Sequence, residues 1–214
     1  MPSMAKDVKP KIWPPTMPYL TQSIYSDMLT KDQRQALKTR SPNLTAEVPS
    51  TLPRGPSTLV RILRIEDASH PAYQQSGLFA ARPIPPGSLI VPYYGIVHHS
   101  TSSHDGDGDA DADAEQGQEH EKSDYDLWLD REANIAIDAE KAGNEARFVN
   151  DYRGVSRRPN AEFKECWDTR TGELVMGVFA LLAGKACTKK SGGGIRKNEE
   201  ILVSYGKGFW EHRE

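Results

Sequence analysis

From Ser57 onward the chain is a succession of short β-branched and apolar runs, each closed within a few residues by Gly, Pro, Asp or Asn. Residues 58–65 alternate as a half-buried strand does, and residues 78–81, 88–91, 125–129, 134–137, 161–165 and 174–182 continue the series. Thr169-Arg-Thr-Gly172 reads as a hairpin connection. Many short strands with turns at close spacing predict a mainly β domain of several small curled sheets.

The first third is built differently. Residues 1–22 carry Pro2, Pro10, Pro14, Pro15 and Pro18, so an extended or irregular course is expected, with Trp13 and Tyr19 docked on the domain. Residues 23–39 predict a short helical pair, in which Thr30-Lys-Asp-Gln33 matches a capping box. Pro49, Pro53 and Pro56 make residues 43–57 a surface linker. Residues 1–56 are thus a Pro-rich, partly helical extension, residues 57–210 the domain, and residues 211–214 a tail.

Two insertions interrupt the strands. Residues 101–124 hold nine acids against Lys122, a net of −8, which leaves +5 on the rest of a chain whose formal charge is −3. Such a distribution suits a basic partner better than a nucleic acid. Within it, residues 100–122 have almost no apolar side chain and are expected to be disordered. A calcium loop starting at Asp105 would need Glu at its twelfth position, where Gln116 stands. Residues 188–198, with Ser191-Gly-Gly-Gly194 among Lys and Arg, read as a mobile basic turn and lack the ending of a phosphate loop.

Familiar catalytic templates are absent. There is no Gly-x-Ser-x-Gly, no His-Glu-x-x-His and no Gly-x-Gly-x-x-Gly. His98, His99, His104 and His120 sit in or beside the acidic stretch and are expected to be solvent-exposed. Cys166 and Cys187 lack Cys-x-x-Cys spacing, so no zinc is expected. With two cysteines, no run of about 20 apolar residues and no apolar leader, a soluble intracellular protein is expected, nuclear or cytoplasmic, with no membrane contact.

Two segments remain to be explained: Arg147-Phe-Val-Asn150-Asp151-Tyr152, and Glu199-Glu200-Ile-Leu-Val-Ser-Tyr205-Gly206. A Tyr ending a strand or an Asn in a bend is ordinary by itself. In this order, with Gly77-Leu78-Phe79-Ala80 upstream and Pro159-Asn160 between, the chain resembles the SET domain of protein lysine methyltransferases over residues 57–210. The resemblance extends to Ile84-Pro-Pro-Gly87, Tyr93-Tyr-Gly95, Ile137-Asp-Ala139 and Gly143-Asn144. It implies small curled sheets with a threaded, pseudoknot-like C-terminal strand.

It also implies a site. Ser76, Gly77 and Leu78 would approach the methionine part of S-adenosylmethionine, because a Cβ at Gly77 would obstruct backbone contact. Arg147, Phe148, Asn150 and Asp151 would complete the cofactor site. Tyr205 would be the catalytic hydroxyl and would also touch the cofactor. Tyr125 would line both the cofactor site and the methyl-transfer channel, and share in catalysis. Phe209 would wall the substrate channel, and Trp210, or Trp13, would cover the adenine. Two departures stand out: Gln75 replaces the first glycine of the early motif, and Asp151 replaces the family's usual His.

The function implied is S-adenosylmethionine-dependent methyl transfer to a lysine amine in a basic protein segment, histone tails among the candidates. The acidic stretch would attract that segment. The alternative is a non-catalytic SET-like interaction module with impaired cofactor binding.

Overall fold

The computed structural model describes residues 9–100, 123–182 and 194–206. The acidic insertion beyond Ser100, His104, His120, Cys187, most of the basic turn, and Phe209 and Trp210 lie outside the described residues.

In chain order the strands are β1 (Ile24–Tyr25), β2 (Glu47–Val48), β3 (Val60–Arg64), β4 (Ser76–Ala80), β5 (Leu89–Tyr93) and β6 (Ile96–His99). They continue as β7 (Asp126–Asp130), β8 (Ile135–Asp138), β9 (Asn150–Asp151), β10 (Ala161–Asp168), β11 (Glu173–Ala180) and β12 (Leu202–Val203). One sheet runs β1-β6-β8-β7 and a second runs β2-β10-β11-β5, while β3 pairs with β4 and β9 with β12. The fold is the expected set of small sheets. β11, central in its sheet, is buried at seven of its eight positions, which is why its sequence is apolar nearly throughout.

Local chemistry explains several boundaries. The β10–β11 hairpin closes over residues 169–172, where the Asp168 carboxylate accepts from Arg170 N at 2.8 Å and Gly172 takes φ +69°. Helix α1 (Lys31–Leu37) begins at the predicted capping box, with Gln33 N donating to Thr30 Oγ1 and Thr30 N to Gln33 Oε1. Gln33 Nε2 then reaches the Ala133 and Asn134 carbonyls, so the cap also ties the helix to the β7–β8 turn.

The first half of the expected helical pair is a strand instead. β1 pairs in parallel with β6, Ile24 opposite Ile96, and Ser26 N donates to Val97 O. An available sheet edge outweighs weak local helix propensity at a β-branched residue. The 43–57 segment likewise contributes β2, which pairs with Trp167 and Asp168 and buries Val48 completely.

The last described segment lies between two parts of the chain remote in sequence. On one side Ala80 N donates to Glu199 O, Asn198 N to Ala80 O and Ile201 N to Leu78 O. On the other, Leu202 and Val203 pair with Asn150 and Asp151, and Tyr152 N donates to Val203 O. Asn160 clasps it as well, accepting from Leu202 N at 2.8 Å and donating to Glu200 O at 2.7 Å. Ile201 and Val203 are fully buried within this arrangement. This is the threaded closing strand.

Candidate active site

The closing strand delivers Tyr205 beside the Asn150 bend, and two cavities meet there. The larger, about 440 Å³, is bounded by the 70–76 turn, Tyr125, Phe148, Asn150, Asp151 and Tyr205. The smaller, about 60 Å³, is narrow and walled by Tyr93, Tyr125, Leu127, Val149, Phe163 and Tyr205. Asp124, Tyr125, Arg147 and Tyr205 line both, so the two spaces share a junction.

Each residue at the junction is held from elsewhere. The Tyr205 hydroxyl donates to Val149 O at 2.6 Å, and its amide donates to Asp151 Oδ2 at 2.7 Å. Burial, then the nearby Asp151 charge, pushes the Tyr205 phenol well above its ordinary range. It is therefore a neutral O–H group at neutral pH. The Tyr125 carbonyl accepts from the buried Tyr93 hydroxyl at 2.6 Å. The Arg147 guanidinium carbon sits 4.1 Å from the Tyr125 ring centre and 5.2 Å from that of Phe148, while Nε donates to Ala139 O. Phe148 is braced from behind by Trp13, edge-on at 5.8 Å. Trp13 is buried and does not line the larger cavity.

Behind Asn150 lies a polar relay that the sequence reading did not single out. Asn150 Nδ2 donates to Glu200 Oε1 at 2.9 Å, and His70 Nε2 faces Glu200 Oε2 at 3.0 Å. His70 Nδ1 accepts from Ala72 N, so Nε2 carries the proton and donates to the carboxylate. Spacing along the chain gives no sign that His70 has a partner 130 residues away.

Of the candidate residues, Ser76, Tyr125, Arg147, Phe148, Asn150, Asp151 and Tyr205 come together around the larger cavity. Gly77 lies immediately behind it. A Cβ there would come within 2.6 Å of Glu200 Oε1 and 3.1 Å of Asn150 Nδ2. The Leu78 side chain is fully buried in the core. Phe209 and Trp210 are outside the described residues.

One expectation is overturned. His98 is buried, with Nε2 2.9 Å from Asp126 Oδ1 and Nδ1 2.9 Å from His99 O. His99 is part-buried, its Nδ1 2.7 Å from Gln33 Nε2. Both sit in β6, paired to β8, and so are drawn into the sheet rather than into the acidic stretch.

No group of three or more His, Cys, Asp or Glu among the described residues is arranged to hold a metal ion. No helix among them is long and apolar enough to cross a membrane.

Comparison with known proteins bears on the same residues. The SET domain family model matches residues 75–206. No curated protein matches the chain. Among solved structures, an active polycomb repressive complex 2 in the basal state is 22% identical with a TM-score of 0.45, over 69% of this chain and 15% of that one. The Chaetomium thermophilum polycomb repressive complex 2 is 21% identical with a TM-score of 0.46, over 70% of this chain and 15% of that one. The chain thus spans about one seventh of the length of these structural relatives. The family match covers well over half of the residues and includes both segments that build the junction, and on that ground the chain belongs to the SET-domain family.

Proposed function

We propose that this protein transfers methyl groups from S-adenosylmethionine to the side-chain amine of a lysine in a protein substrate. The observation that supports it is the junction: a roomy cavity and a narrow, aromatic-walled one share Tyr205, Tyr125, Arg147 and Asp124 in their walls. The larger space is within the roughly 300–1,000 Å³ range of ligand sites. Its wall carries the amide of Asn150, the Tyr125 and Phe148 rings, the Asp151 carboxylate and the Arg147 and Arg153 guanidinium groups, a polar and aromatic lining suited to an adenosyl ligand.

When bound, S-adenosylmethionine supplies a methyl on a positive sulfur; the amine nitrogen forms the new C–N bond, the C–S bond breaks toward sulfur, and the extra proton leaves to water. The protein's part is alignment and desolvation. A lysine amine is unreactive while protonated, with an ordinary pKa of about 10.4, and desolvation in a narrow passage favours the neutral form. Tyr93, Tyr125 and Phe163 keep that passage narrow, which holds the reacting atoms in line. The Tyr205 proton is committed to Val149 O, so the oxygen offers its lone pairs to an N–H of the incoming amine. Asp124 and Asp126 on the narrow side favour the approach of a cationic side chain.

In this reading Ser76, Gly77, Leu78, Tyr125, Arg147, Phe148, Asn150, Asp151 and Tyr205 form the cofactor site together with Trp210, while Tyr125 and Phe209 wall the substrate channel. The substrate is a basic, lysine-containing segment, histone tails among the candidates. Calorimetry with S-adenosylmethionine tests the first step; absence of saturable binding would favour the non-catalytic interaction module. Tyr205→Phe is expected to keep cofactor affinity while turnover falls about 10²-fold or more. Radiolabel transfer onto core histones, compared with transfer onto a whole-cell extract, would identify the substrate class.

A further inference from the structure

Asp151 does more in this fold than line a cavity. Its side chain is buried, and its two oxygens accept from two main-chain donors: Oδ1 from Arg153 N at 2.8 Å and Oδ2 from Tyr205 N at 2.7 Å. The β9–β12 ladder pairs Val203 with Asp151, and Tyr205 lies two residues past that last registered pair. The Asp151 carboxylate takes up the strand beyond the end of the ladder. The same short segment holds Tyr205 at its other end, since Val149 O accepts from the phenol. Tyr205 is thus gripped by its amide and its hydroxyl from residues 149–151, the stretch that also presents Asn150 to the larger cavity.

We infer that Asp151 is a positioning residue that sets the Tyr205 hydroxyl against the cofactor wall. The inference rests on the reading of Tyr205 as the hydroxyl that orients the reacting amine. The task calls for a carboxylate, because both partners are N–H donors. An asparagine would have one oxygen for two donors and would turn its NH₂ against the other. Arg153, whose guanidinium lies 4.0 Å from Asp151 Oδ2 and donates to Gly206 O at 3.4 Å, braces the grip from outside. A main-chain hydrogen bond to an ionised acceptor is among the stronger kinds, which suits a strand end that must hold a phenol in register.

The test compares Asp151→Asn, Tyr205→Phe and the double variant in the full chain. Radiolabel turnover, calorimetric affinity for S-adenosylmethionine and amide exchange at Tyr205 are measured on each. Asp151→Asn is expected to lower kcat at saturating cofactor about tenfold or more, and to have no further effect on kcat on top of Tyr205→Phe. Tyr205 amide exchange should accelerate by about tenfold or more. Effects on kcat that multiply in the double variant, or a kcat unchanged at saturating cofactor, would overturn the inference; so would unchanged amide exchange. A wild-type chain that binds the cofactor without turnover would remove the catalytic reading, while amide exchange would still decide whether Asp151 holds the strand. Were Asp151→Asn unfolded by thermal melt, Asp151→Ser, which keeps one acceptor, carries the same comparison.

Discussion

At Gly77 a Cβ would press on the side chains of Glu200 and Asn150, which would have to shift to admit it. The glycine's φ is not in the left-handed region, so the requirement is space rather than backbone conformation. Gly77→Ala would press a methyl to 2.6 Å from Glu200 Oε1, displacing the carboxylate that orients Asn150. A destabilisation of about 1–3 kcal/mol is expected, together with a loss of cofactor affinity larger than the stability loss alone would produce. Thermal melts and calorimetry on the same variant separate the two. The glycine was legible in the sequence, as were Asn150 and Tyr205, because their types and order are distinctive. The pairing of Glu200 with His70 was not, because it depends on bringing the β3–β4 turn against the closing strand.

Elements show the same division. The capping box at Thr30 and the hairpin at residues 169–172 depend on chemistry within four or five residues, and both form where local rules place them. β1 and the burial of His98 depend on which edge or strand lies opposite. On β6, His98 ties to β7 through Asp126. Burial opposes its protonation, but the Asp126 hydrogen bond and charge, with the His99 carbonyl and Asp138, outweigh it and raise its pKa above the ordinary 6.5. The folded protein therefore binds this proton more tightly than the unfolded chain does. Its stabilisation is fully present below pH 6.5 and is lost as pH rises through the folded value. Melting temperature measured across that window should fall in the wild type, and His98→Gln should remove this component of the slope.

For the molecule as a whole, residues 9–56 contribute two strands to the sheets and side chains to the core. β1 lies on β6, β2 on β10, and Leu37 and Val48 are almost completely buried. Trp13 backs Phe148 at the larger cavity. A large apolar side chain contributes about 1.5–3 kcal/mol on full burial, against a total margin of roughly 5–15 kcal/mol for a domain. Removing several at once exceeds that margin, so a chain starting at Ser57 is expected to lose its cooperative thermal transition. A sharp melt near the wild-type temperature would show that the sheets stand without the extension.

What the sequence by itself determined is the set of local events: short strands bounded by turn formers, one capped helix, one hairpin, and two segments whose order marks the SET family. Those features are short-range, set by backbone preference and by side chains that bond within a turn. The tertiary structure alone decided which edges are filled, that His98 is buried, that Glu200 links His70 to Asn150, and that Asp151 faces the Tyr205 amide. Contacts of that kind join residues dozens of positions apart, so they exist only once the closing strand has passed between β4 and the Asn150 bend.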